Sequence, residues 1–438
     1  MSRPALSALS PLSTLRRLLV PAAVLALAGG ALVSPASALP VPGVGSLPAE
    51  LVDAGDPARP PAPAEETPDW SGLDVTDGVT LPDRVGVPVD EVALNPDLGL
   101  RSASVQRRFV YSTVDQHGEV AASTAAVFLP EGPAPEGGWP VLAWAHGTVG
   151  LGDGCTPSAL PRSQRDADYL AHWLGQGYAV VASDYVGMGT PGLMSYLNGP
   201  VSAANVIDSV AAARSLDSVG PSLSGSWAVI GQSQGGGAAL HVAHAATERS
   251  DDLGLDYRGA VATGAPAYVE ELVLAGSPSF PPVVLPTGLN VYTAYILAGF
   301  REAHPELDLD SVLSDEGRRI ADMAETACYP ELADALDGVG MSRVFTAPIR
   351  SVPGLEPALR SYMATPTDGY DRPVFVGHGL LDIDVPSPIG VLLNSQMWIN
   401  QFAGSNEQVE VHWYNEDHSG AMVASMPDST PFLRSLFA

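Results

Sequence analysis

The stretch from Ser226 to Ala246, SWAVIGQSQGGGAALHVAHAA, constrains the fold more than any other part of the chain. Trp227 to Ile230 is a short apolar run of the kind that makes a buried strand, and an alanine-rich, helix-forming run follows the glycines at 235–237. Between them Gly231-Gln232-Ser233-Gln234-Gly235 fits G-x-S-x-G, the one match in the sequence. In that setting the serine is held on a sharp turn between strand and helix. The turn imposes strained backbone angles on Ser233, and a side chain at 231 or 235 would strike neighbouring backbone, so both positions are glycine. The helix that starts here aims its unpaired N–H groups toward whatever meets the serine.

Strands and helices alternate around this stretch. Residues 105–115 and 119–129 read as an antiparallel hairpin about Gln116-His117-Gly118, and 139–145 as a buried strand running into His146-Gly147-Thr148. A helix is predicted over 165–176, a strand over 177–184, a helix over 202–217 and a strand over 257–266. After residue 371 the rhythm resumes, with strands at 372–379 and 408–415 and helices at 387–403 and 419–437. Nearly all-apolar strands separated by helices predict an α/β fold, a mostly parallel sheet with helices on both faces. Residues 101–266 and 371–438 would form this core. Residues 267–370 break the pattern with proline-rich loops and helical pieces such as 290–303 and 315–326, and are expected to form an inserted helical cap.

The first 38 residues read as an export signal: Arg3, Arg16 and Arg17, an apolar run from Leu18 to Val33, and a small-residue cleavage site at Ala36-Ser37-Ala38. The mature protein is therefore expected to be secreted and extracellular. No later stretch reaches about 18 uninterrupted apolar residues, so no stable membrane anchor is expected. Residues 39–100 read as a mobile leader, rich in Pro and acidic residues up to 69 and with loose structure at best from 70 to 100. The formal charge is −28, and all 21 basic residues are arginine. Such acidity argues against nucleic acid or an anionic membrane surface as partner. The two cysteines, Cys155 and Cys328, make a poor zinc site without nearby histidines, and in an oxidising compartment an isolated pair is expected to form a disulfide. Oligomeric state is not legible.

A serine hydroxyl is a poor nucleophile until a base takes its proton, and a carboxylate must hold the basic imidazole in the right tautomer. On a sheet of this kind the partners follow in the order serine, acid, histidine, each past the C-terminal end of a later strand. After strand 372–379 come Asp382 and Asp384, and after strand 408–415 comes His418. Asp382 is the favoured acid, because Asp384 is placed to cap the helix beginning near Pro386. His412 lies within the last strand and is the weaker base, and Glu416 and Asp417 are expected to shape the His418 loop. One donor to a tetrahedral oxyanion would be the N–H of Gln234. The second would come from Gly147-Thr148 or from Asp184-Tyr185. No metal or organic cofactor is needed.

With these residues in place the chain resembles the secretory lipases, an α/β-hydrolase group that includes yeast lipase A enzymes and many actinobacterial secreted proteins. The resemblance rests on WAHGT (144–148), GYAVVASDYVGMG (177–189), GQSQGG (231–236), HGLLDIDVP (378–386) and DHSG (417–420), and covers about residues 100–438. It implies the α/β-hydrolase fold with a helical cap, and Ser233, Asp382 and His418 as a catalytic triad. It also implies Asp184 beside the Gln234 amide at the oxyanion hole, and a Cys155–Cys328 link between core and cap. Yeast members carry a small residue after the serine, whereas Gln234 here is expected to narrow the pocket. The implied activity is hydrolysis of acylglycerols or other carboxylic esters, with ester or lipid as substrate. The apolar segments 281–286 and 291–300 would line an acyl tunnel or form ordinary cap core. A serine peptidase or an acyltransferase would use the same triad. A silent binding protein would have lost a member of it, and none is lost.

Overall fold

The computed structural model describes residues 72, 73, 75, 77–280 and 285–438, so the expected export signal and the leader up to residue 69 lie outside the described residues. Nine strands form one sheet: β1 (Pro88–Ala93), β2 (Val105–Val114), β3 (Val120–Leu129), β4 (Trp139–Ala145), β5 (Ala179–Ser183), β6 (Leu223–Gln232), β7 (Asp256–Thr263), β8 (Val374–Gly379) and β9 (Val409–Tyr414). Their spatial order is β1-β2-β3-β5-β4-β6-β7-β8-β9. Strands β1, β2, β3 and β5 pair antiparallel, and every pair from β5–β4 to β8–β9 is parallel.

The central strands are apolar on both faces, and each face has its own core. Val141 and Ala143 of β4 point to the side covered by α2 (Gly199–Arg214) and α3 (Gln234–Leu253), where Val206, Val210 and Leu240 pack on them. Leu142 and Trp144 point to the other side, against Leu170 and Trp173 of α1 (Gln164–Gly175) and Leu433 of the last helix. This two-sided burial is the physical reason the strands read as continuous apolar runs.

The region 70–100 departs from expectation. It supplies β1, which pairs with β2 at the sheet edge, and Leu94, Leu98 and Leu100 are buried in the second core. Strand β1 is short and exposes Val89, Asp90 and Ala93, so the backbone ladder rather than apolar alternation holds it. The C-terminal helix also differs. It is broken into α10 (His418–Ala424) and α11 (Met426–Leu436), because Pro427, in the first turn of α11, has no N–H to continue the ladder.

Between β7 and β8 the chain forms α4 (Val269–Val273), α5 (Thr287–Ala303), α6 (Asp315–Ala324), α7 (Tyr329–Leu336) and α8 (Leu355–Met363), and α9 (Ser387–Phe402) then connects β8 to β9. Entry to and exit from this helical insertion are tied by Thr365 Oγ1, which donates to Pro266 O at 2.9 Å. A Cys155–Cys328 disulfide joins the loop after β4 to the start of α7. Beside it Tyr329 N donates to Val149 O at 2.8 Å. Among the described residues no helix is long and apolar enough to cross a membrane.

The disulfide spans 173 residues of sequence, and closing so long a loop in the unfolded chain is worth about 5 kcal/mol in the chain-entropy limit. A Cys155→Ser/Cys328→Ser variant is expected to lose roughly 2–5 kcal/mol of unfolding free energy by urea denaturation. An unchanged midpoint would show that the link constrains nothing the fold needs.

Candidate active site

Ser233 stands between the last residue of β6 and the first of α3, with φ +59° and ψ −125°. An L-residue adopts that conformation only when its surroundings over-determine it. Here Ser233 N donates to Thr263 O at 2.9 Å, and Ser233 O accepts from Gly237 N at 3.0 Å. The glycines do what the sequence demands of them. A Cβ on Gly231 would lie 2.0 Å from Gly235 O, and one on Gly235 would lie 1.8 Å from Ala145 O. The Ser233 side chain does not cap its own helix, so the hydroxyl remains available.

The ends of β8 and β9 are zipped together. Leu380 N donates to Tyr414 O at 2.8 Å and Leu381 N to Glu416 O at 3.0 Å. This brings Asp382 against His418, with His418 Nδ1 2.6 Å from Asp382 Oδ2 and both side chains buried. The other oxygen, Oδ1, accepts the N–H groups of Asp384 at 2.9 Å and Val385 at 2.8 Å, a local turn that holds the carboxylate in one orientation. Nδ1–H therefore donates to the carboxylate, and Nε2 is left buried without a hydrogen-bond partner among the described residues. Asp417 accepts from Gly420 N at 2.7 Å and so starts α10 at His418, as expected of a residue shaping that loop.

The nucleophile and base candidates share this edge. Gln232 Nε2, one residue before Ser233, donates to His418 O at 3.3 Å. Thr263, which accepts from Ser233, is followed by Gly264, where a Cβ would sit 2.9 Å from His418 Cε1. Gly264 also has φ +55°, so two requirements converge on glycine. Sequence reasoning missed it; the only signal was a glycine directly after a strand that precedes neither acid nor base. His412 lies apart, hydrogen-bonded to Glu410 at 2.8 Å and stacked on Phe375. Asp384 is not a helix cap: α9 starts after Pro386 with no side-chain cap, and Asp384 Oδ1 instead accepts from Tyr292 OH at 2.8 Å.

Gln234 is the first residue of α3, where helical N–H groups have no internal acceptor. Gly147 adjoins the serine: a Cβ there would lie 3.5 Å from Ser233 Cβ. Next to it Thr148 Oγ1 is 2.6 Å from Tyr196 OH. The expectation that Asp184 supplies an oxyanion donor does not hold. Its N–H is donated to Thr124 O at 2.9 Å, and its carboxylate accepts from Thr124 Oγ1 at 2.7 Å, from Ser158 N at 2.9 Å and from Ser158 Oγ. Asp184 is a buried structural anchor. His146, beside Gly147, is buried with its pKa lowered by desolvation, which keeps the ring neutral, and its Nδ1 is 2.7 Å from Gly147 O.

Ser233 and Gln234 open on a cavity of about 310 Å³, lined mainly by apolar residues such as Leu272, Ile296 and Phe345. The insertion provides most of this lining. Of the 291–300 segment, Tyr292, Thr293 and Ile296 face the cavity, while Ala294, Leu297 and Phe300 are buried in the core, so the segment is in part cavity lining and in part core. Of 281–286, Leu285 lines the cavity, and 281–284 lie outside the described residues. Among the described residues one group of acidic and histidine side chains is tight enough for a metal ion: Asp382, Asp384 and His418, with ligand atoms within 4.8 Å. Both oxygens of Asp382 and one of Asp384 already accept hydrogen bonds from groups of the chain.

Comparison with known proteins gives the family and the fold. A model of the secretory lipase family matches residues 160–437. The structure is similar to lipase A of Candida antarctica in its closed state, with TM-score 0.64 and 19% identity over 81% of this chain and 82% of that one. It is also similar to a rice cell wall degrading esterase, LipA of Xanthomonas oryzae, with TM-score 0.63 and 19% identity over 80% of this chain and 98% of that one. These likenesses give the fold, that of the α/β-hydrolases. No curated protein matches the chain by sequence.

The two aspartates can be separated by exchange. Asp382→Asn presents an amide to His418 Nδ1 and favours the wrong tautomer, so kcat should fall by about 10³- to 10⁴-fold. Asp384→Asn should cost far less, and equal losses would contradict the assignment. Gly264→Ala should lower kcat by about 10²-fold, because its methyl displaces the His418 ring. Steady-state kinetics with circular dichroism as a folding control checks all three.

Proposed function

The chain belongs to the secretory lipase family and is a carboxylic ester hydrolase, and we propose that it is a secreted enzyme that cleaves acylglycerols or other carboxylic esters through Ser233, His418 and Asp382. The observation that carries this reading is the buried Asp382–His418 pair, which leaves Nε2 without a partner among the described residues, at the edge where β6 delivers Ser233. His418 takes the Ser233 proton as Oγ attacks the ester carbonyl, and Asp382 stabilises the imidazolium that forms. The oxyanion is held by the N–H of Gln234 and a backbone N–H of the Gly147–Thr148 turn. His418 then protonates the departing alcohol, and water attacks the acyl-enzyme with His418 again as base. The insertion acts as a cap whose apolar lining takes the acyl chain. The disulfide and the family suit an oxidising, extracellular setting.

The cavity, about 310 Å³, lies at the small end of the range for small-molecule sites, roughly 300–1,000 Å³. A series of p-nitrophenyl esters from acetate to stearate should therefore peak at short and medium chains. Ser233→Ala should lose about four orders of magnitude or more at every length. Turnover that survives in Ser233→Ala would remove the serine from the mechanism, and the absence of ester turnover at any length in the wild type would defeat the proposal.

A further inference from the structure

Among the described residues Asp384 is the only charged one lining the cavity, and the mechanism above does not use it. Its surroundings are built. Tyr292, in the second turn of α5, donates its hydroxyl to Asp384 Oδ1 at 2.8 Å. One turn earlier on the same helix stands Gly288, where a Cβ would lie 2.8 Å from that carboxylate oxygen and 3.2 Å from Tyr329 OH. The helix thus leaves room for the carboxylate at one position and grips it at the next. Burial and the Asp384 carboxylate hold the Tyr292 pKa well above its ordinary value, so the phenol stays a donor at any working pH.

Asp384 is joined in turn to the catalytic acid. Its N–H donates to Asp382 Oδ1 at 2.9 Å, and Val385 N does so at 2.8 Å, while Oδ2 of the same carboxylate meets His418 Nδ1 at 2.6 Å. The start of this loop is anchored elsewhere: the Leu380 amide donates to Tyr414 O at the end of β9, the Leu381 amide to Glu416 O just past it, and Ser387 Oγ donates to Leu380 O at 3.0 Å. Past Asp382, Ile383 is 65% exposed and anchors nothing. The inward contacts that remain are Val385 against the core and Tyr292 to Asp384.

We propose that Tyr292 is a positioning residue that, through Asp384, locks the Asp382 loop in the conformation that orients His418, so that the triad is fully assembled only when the insertion is seated on the sheet. This rests on the reading of Asp382 and His418 as acid and base. The chain of contacts runs from α5 to Tyr292, Asp384, Asp382 and His418 without a gap. A cap that lifts withdraws the phenol, frees the Asp384 carboxylate to turn toward solvent, and loosens the two N–H groups that fix Asp382. Substrate that fills the cavity under a seated cap meets an aligned base, and an unseated cap leaves the enzyme slow.

The test uses two readouts on the full-length mature protein. One is the low-field proton resonance of the His418–Asp382 hydrogen bond. The other is kcat and KM for p-nitrophenyl butyrate. Tyr292→Phe removes the hydroxyl and little else. It is expected to shift or broaden the resonance and to lower kcat by about tenfold with KM within about twofold. Asp384→Ala should do the same, and Asp384→Asn, whose amide oxygen still accepts from Tyr292, should restore most of the signal. An unchanged resonance with wild-type kcat in Tyr292→Phe overturns the proposal, as does a loss confined to KM, which would mark Tyr292 as pocket lining only. Wild-type protein that hydrolyses no ester would defeat the functional reading instead, and the resonance in Tyr292→Phe would then decide the lock alone.

Discussion

Everything at this site depends on how closely three backbone segments approach one another at the end of β6. The start of α3 runs so near the end of β4 that a single methyl group at Gly235 would overlap the Ala145 carbonyl. Ser233 can hold its left-handed conformation because its N–H is bound by Thr263 on one side and its carbonyl by Gly237 on the other. The same Thr263 leads into Gly264, which gives way to the His418 ring. Ser233, His418 and the sheet are thus joined through contacts made by backbone, which are stiffer than those between side chains and leave little freedom to drift.

Around this point the charged groups are arranged by local turns. Asp382 is oriented by N–H groups only two and three residues away, and His418 by a helix that Asp417 starts. A carboxylate fixed by its own loop has one oxygen left for histidine, which settles the tautomer without a further residue. The Asp184 carboxylate, equally buried, is satisfied in another way, by Thr124 and Ser158, and serves to pin the loop after β4 to β3 and β5.

Much of this was legible in the sequence, for identifiable reasons. Fully buried parallel strands must be apolar at every position, so β4, β5 and β6 could be read directly, and the order serine, acid, histidine then located Asp382 and His418. Strand β1 could not be read in the same way, because an edge strand held by its ladder shows no apolar pattern. Asp384 looked like a helix cap because its partner, Tyr292, is 92 residues away. Asp184 looked like an oxyanion donor because the carbonyl that accepts its N–H belongs to Thr124, on a strand distant in sequence. Gly264 was invisible because the atom that requires it belongs to His418. Local chemistry was readable wherever neighbours in sequence determined it, and was lost where a long-range contact did.

The Cys155–Cys328 bond and the chain between the two cysteines make one closed covalent ring, which takes in β5, β6 with Ser233, β7 and the insertion as far as α6. A single cut of the backbone anywhere between those cysteines opens the ring and leaves both pieces in one molecule. A cut after Cys328 has no such protection, and there the return to β8 rests on contacts such as that of Thr365 with Pro266. The bond therefore gives the strand-and-turn segment that carries Ser233 a tolerance to nicking that the Asp382 and His418 segments lack.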